Sequence, residues 1–544
     1  MSRRLQYGAA LAILLLVAGV AGWYSRAPAD GGGAATTDVP LYVNLGTFER
    51  RISTDVAAAQ QYFTQGLRLT YAFNHPEAIR AFEQATRLDP ECAMCYWGIA
   101  YAYGPNINMP MDSASGVLAW EAAGRAQALA AGADEVERAL IEALSRRYAA
   151  VPPADRSALD RAYAAAMGGV RQRHPDDLDV LTLHAEAVMN LSPWDYWTRD
   201  GAPRDGIAGV LADLERVLEV QPDHPGACHY YIHAVEAAQP EKAVACAERL
   251  ASLMPGAGHL VHMPAHIYIR VGRWADAIRA NEHAVHSDES YIGDQRPTGI
   301  YPIAYYPHNY HFLSFAATMA ARGDMAVQAA RRVVENMPVD VVRGVPPLEP
   351  LLAHTHFTLV TFGRWDEVLA EPEPPADLRM ATALTQYARG VAHAARGDAA
   401  AAAAAADVVR SVLAETEDEL SRAILDIAQH ALAGEIAFRG GDLGGAESHF
   451  RQAMAVEDAL LYMEPPHWYY PIRHSLGAVL LAGGRAAEAE QLYRQDLARF
   501  PENAWSLHGL QASLRAQGKA ADAQAVDARL AALGSDVALT ASRY

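Results

Sequence analysis

Positive charge is scarce in this chain: 45 Lys and Arg stand against 64 Asp and Glu, a formal net charge of −19. A surface that grips nucleic acid releases counterions with excess Lys and Arg, so this balance excludes non-specific nucleic-acid binding. The acidity is spread along the chain, which reads as a solvated exterior. Runs of alternating β-branched residues are missing. Ala-rich stretches studded with Glu, Arg and Leu take their place, and they favour an all-α chain. H-E-x-x-H and G-x-S-x-G are both absent, which leaves the usual zinc-protease and serine-hydrolase readings without support. Cysteine is limited to Cys92, Cys95, Cys228 and Cys246. The first two form a C-x-x-C, the second two sit on consecutive predicted helices, and each pair is a candidate disulfide if the compartment is oxidising. A thioredoxin-like role would need a βαβ context that is not there, and a copper or zinc ligand role is the less favoured alternative.

What is present begins with an export pattern. Arg3 and Arg4 precede an uncharged run from Leu5 to Ser25, strongly apolar over Ala9–Ala21. Residues 1–26 therefore read as a signal peptide, or as an N-terminal membrane anchor long enough to span a bilayer. Either way the rest of the chain is expected outside the cytoplasm, periplasmic or anchored on the extracytoplasmic side. Residues 27–54 read as a flexible linker and lead-in, with the Gly- and Ala-rich tether in 27–40.

Beyond residue 55 the sequence repeats. One unit carries Gly66, Ala78, Phe82, Ala85 and Pro90; another carries Ala265, Tyr268, Gly272, Ala277 and Ala284. Gly434, Gly441, Ala446, Phe450 and Ala453 mark a third, and Leu476, Gly477, Gly484, Ala489, Tyr493 and Pro501 a fourth. This pattern resembles the tetratricopeptide repeat, with weaker units between. The resemblance implies stacked helical hairpins in an α-solenoid with a concave groove. The repeats divide into 55–255, a central His-rich block 256–370, and 371–544. Four Pro-containing inserts interrupt them: Gly104–Asp112, Ser192–Asp205, Ser290–Pro307 and Tyr462–Pro471. Loops of this kind are uncommon in repeat arrays unless they do something. Their aromatic residues Tyr301, Tyr305, Trp468 and Tyr469, with Trp97, are candidates to line the groove.

Histidines recur at one helical phase. Counting about 100° per residue from the seam residue Ala265, His262 and His266 point away from the packed partner helix. His229 and His233 hold the same places in the preceding unit, His311 one of them in the next with His308 a turn earlier, and His474 one in a late unit. Glu186 takes the second place in the unit near residue 185. An H-x-x-x-H pair puts two imidazoles on one helix face within reach of one ion, and two such pairs on adjacent helices could face one ion or two. Imidazole suits copper, zinc and iron alike; the nearby Met109, Met111 and Met263 lean toward copper, although ordinary packing explains them better.

Two readings follow. In the first, the groove holds a His-rich metal site, with the protein a metal binder or a metalloenzyme acting on a small molecule. In the second, the array is a non-enzymatic scaffold that grips a peptide or an envelope protein, with membrane contact through the N-terminal segment if it is uncleaved. The resemblance specifies fold and is nearly silent on function.

Overall fold

A computed structural model describes residues 39–297, 299–537 and 539. The expected signal or anchor segment and residues 27–38 of the linker lie outside the described residues. Among those residues there is no β-strand and no helix long and apolar enough to cross a membrane.

The chain forms two compact units. One runs up to Ile267 and includes His283–Pro302; the other comprises Tyr268–Glu282 and Ile303 onward. The first unit is built from α1 (Ala57–Tyr71), α2 (His75–Leu88), α3 (Ala93–Tyr103), α4 (Ser113–Leu129), α5 (Glu135–Ser145) and α6 (Ser157–Arg173). It continues with α7 (Leu178–Met189), α8 (Ile207–Val220), α9 (Pro225–Val235), α10 (Val244–Leu253), α11 (Gly258–His262) and the start of α12 (Pro264–Arg270). From α1 to α11 each helix packs on the next, and the first helices of neighbouring hairpins also meet, as α1 with α3, α3 with α5 and α7 with α9.

Local chemistry sets these boundaries. Asp112, Asp134 and Asp177 each accept a backbone N–H at a helix start, and Asp134 forms a full capping box with Glu137. Between hairpins the seam is a small residue against a ring. The Phe82 ring fills the space beside both Gly66 and Gly98, where an added Cβ would lie 2.6 Å and 2.5 Å from it. Only glycine fits at either place.

The second unit repeats the device, with the Tyr493 ring seated against Gly477 and Gly509 and the Phe450 ring against Gly434. Its hairpins include Tyr306–Met319 with Gly323–Glu335, Glu419–Arg439 with Leu443–Glu457, and Ile472–Ala482 with Ala486–Arg499. The expectation of an all-α array of stacked helical hairpins therefore holds at the level of packing as well as helix content.

Several expectations change. Cys92 and Cys95 are joined in a disulfide, but Cys228 and Cys246 remain buried thiols. The Cys228 thiol donates to the Pro222 carbonyl, 3.6 Å away. The residues expected to line an open groove are interior instead: Trp97, Tyr301, Tyr305, Trp468 and Tyr469 are all buried. Trp97 stacks on Tyr101, the Tyr301 hydroxyl donates to Asp288, and Trp468 and Tyr469 pack with Phe357 and Tyr387. Large rings contribute most apolar area per residue, so they go where water is excluded.

Candidate metal centre

The first unit collects imidazoles at its centre. Helix α9 begins at Pro225 behind the side chain of His224, which accepts the Ala227 N–H, and it is buried on every side along its length. His229 and His233 thus project into protein rather than into a groove. From α11 come His259 and His262, and from the first turn of α12 comes His266; Pro264, which cannot continue the hydrogen-bond ladder, opens α12. All five histidines are at most 2% exposed.

One ring nitrogen from each of His229, His233 and His259 lies within 4.8 Å of the others. The Nε2 atoms of His229 and His259 are 3.2 Å apart. With metal–nitrogen bonds of 2.0–2.1 Å, that separation subtends an angle of about 100° at a shared ion, close to tetrahedral.

The opposite edges of the His229 and His233 rings are held. His229 Nδ1 lies 2.7 Å from the carbonyl oxygen of Tyr71, the last residue of α1. A carbonyl only accepts, so Nδ1 carries the proton and Nε2 presents its lone pair inward. Carbonyls at helix C-termini lack partners within the helix, which is why this one is available. His233 Nδ1 lies 3.3 Å from Glu236 Oε1, leaving its buried Nε2 without a hydrogen-bond partner. Backing of ligand histidines by carbonyl and carboxylate groups is the usual outer shell of a metal site.

Burial pushes the pKa of His229, His233 and His259 well below the ordinary imidazole value, and the neighbouring rings add to the effect. All three are therefore neutral near pH 7, the form that ligates.

Two aromatic residues close over the cluster in an unusual conformation. Phe73 has φ 56° and Trp194 has φ 65°, the left-handed region that bulky residues seldom occupy. The Phe73 ring lies 4.4 Å from that of His229 and stacks on His259 at 5.5 Å. Trp194 stands edge-on to His233 at 5.1 Å and lies 6.4 Å from His266, while its indole N–H donates to the Ile107 carbonyl. Two of the interrupting inserts thus meet over the histidines. Backbone in this region costs about 1–3 kcal/mol and is held in place by the surrounding contacts.

The remaining candidates make other contacts. The Glu186 carboxylate lies 3.3 Å from the guanidinium of the buried Arg147. His311 meets the ring of His354 in the second unit, and half-buried His308 packs on Phe312. His474 Nε2 lies 3.0 Å from Asp496, which also accepts from Ser506 and Asn503. That carboxylate already gives His474 a structural role. Conversely, His259 and Glu236 belong to the cluster but escaped a search for H-x-x-x-H pairs in seam register. The spacing that would have found them is three residues, His259 before His262 and Glu236 after His233.

No protein-family model matches the chain, and no curated protein matches it. Among solved structures it is similar to the APC/C hetero-tetramer Cut9–Hcn1, at 12% identity over 89% of this chain and 75% of that one, with a TM-score of 0.30. It is also similar to the human IFIT1 dimer with PPP-AAAA, at 12% identity over 89% and 92% of the two chains, with a TM-score of 0.35. Both are tetratricopeptide-repeat proteins.

Proposed function

We propose that this helical-repeat protein is a metal binder in which His229, His233 and His259 hold one first-row transition ion, copper, zinc or iron. The observation that carries the reading is the 3.2 Å approach of the His229 and His259 Nε2 atoms, with the Nδ1 of His229 fixed on a backbone carbonyl. Three protein nitrogens leave a coordination position open, as in catalytic rather than closed structural sites, so the ion can take a small molecule as an added ligand. The N-terminal export pattern and the Cys92–Cys95 disulfide support an extracytoplasmic setting.

Elemental mass spectrometry of protein purified without chelator tests the proposal. Metal near one equivalent or more, cut sharply in His229→Ala, His259→Ala protein that still folds, is the expected result. Absence of bound metal in the wild type, also after reconstitution with Cu(I), Zn(II) or Fe(II), sinks it. Saturable capture of a peptide by such metal-free protein would favour the scaffold reading.

A further inference from the structure

We infer that the same interior holds a second ion, on His262 and His266, and that Glu236 couples the two sites. The inference rests on the proposed first site and adds a dinuclear centre to it. The Nε2 atoms of His262 and His266 are 2.9 Å apart, an angle of about 90° at an ion bound at 2.0–2.1 Å. The pair stands beside the first set: the His233 and His266 rings are 5.4 Å apart and those of His259 and His262 6.0 Å.

Glu236, the residue that ends α9, reaches both sites. Its Oε1 is 3.3 Å from His233 Nδ1 and its Oε2 is 3.0 Å from His266 Nδ1. A carboxylate accepts hydrogen bonds and cannot donate them when ionised, so His233 carries its proton on Nδ1 and turns Nε2 toward a metal, while His266 stands at ion-pair distance from the same carboxylate. One buried side chain thereby stands against one ligand in each site. It is itself 1% exposed, so its charge faces little water.

Imidazole nitrogen ligates copper and zinc alike, so Cu(I) and Zn(II) are the ions to compare.

The test loads metal-free full-length protein with Cu(I) or, separately, Zn(II) under anaerobic conditions, removes loose metal by desalting, and counts ions per chain. Two equivalents of either ion in the wild type, falling to one in His262→Ala, His266→Ala protein, is the expected result. One equivalent in the wild type, unchanged by those substitutions, overturns the second site and leaves the first standing; none removes both. A direct hydrogen bond between the His262 and His266 rings gives the one-equivalent outcome. Should the double variant fail to fold, Glu236→Gln serves in its place. It preserves the side-chain shape, and it is expected to weaken both binding steps by about 10–100-fold. Unchanged affinity at both steps in folded Glu236→Gln protein overturns the coupling.

Discussion

His229 donates its Nδ1 proton to the carbonyl of Tyr71 across 158 positions of sequence, at 2.7 Å. This contact ties α9 to the end of α1 and decides which nitrogen of His229 is available to a ligand. In metal-free protein, His229→Ala should lower stability by about 1–3 kcal/mol, because the buried Tyr71 carbonyl loses its donor. Chemical denaturation of wild type and variant, both in chelator, measures that difference.

The ion itself should stabilise the fold. A ligand that binds only the native state adds about 4 kcal/mol when its free concentration is a thousand times Kd. Thermal unfolding with metal and then with chelator should therefore show a large drop in Tm for the wild type. In His229→Ala, His259→Ala protein the two curves should draw markedly together, with any remaining gap assigned to His262 and His266.

Acid should weaken the second unit for a separate reason. Burial pushes the pKa of His354, His356 and His467 down to about 4, against 6.5 in an unfolded chain. Between those values the unfolded state binds protons that the folded state refuses. Stability is thus complete above pH 6.5 and lost as pH falls toward 4, by up to about 1.4 kcal/mol per pH unit for each such group. Denaturation midpoints across that window check the slope.

Glu457 gives the opposite slope. Burial pushes its carboxyl up to about 7, although Arg499 and the Ile472 N–H pull the other way. The folded state keeps a proton that the unfolded state releases above pH 4.5, so stability is lost as pH rises from 4.5 to 7. Glu457→Gln, which retains an acceptor for Ile472, should stabilise the protein at pH 8 by about 1–3 kcal/mol and leave it nearly unchanged at pH 4.

The seam around Phe82 makes a packing test. Gly66→Ala places a methyl against that ring and should cost about 1–3 kcal/mol. Combining it with Phe82→Leu should recover part of the loss beyond additivity, since the two changes share one contact. Equilibrium unfolding of the four proteins closes the cycle.

The fold was legible in the sequence because repeat packing writes itself into small and aromatic residues at fixed spacing, as at Gly66, Phe82, Gly477 and Tyr493. Part of the cluster was legible for a related reason: His229, His233, His262 and His266 obey helical periodicity on their own helices. His259 and Glu236 were not, because what draws them in is the packing of α9 against its neighbours and the break at Pro264, neither of which has a periodic signature. The long-range partner Tyr71 could not be read at all, since only the folded chain brings the end of α1 beneath α9. The aromatic residues Trp468 and Tyr469 misled in the other direction. A hydrophobic ring in an insert signals burial as readily as it signals a surface for a ligand.

Phe73 and Trp194 roof the imidazoles with rings whose backbones are themselves locked by surrounding contacts. An ion enclosed there leaves only when that roof lifts, on the slow timescale of local unfolding. The metal found in the mature protein would then be a record of supply at the moment of folding: chains matured in copper-rich and zinc-rich media should carry different ions, and should keep them long after the medium is exchanged.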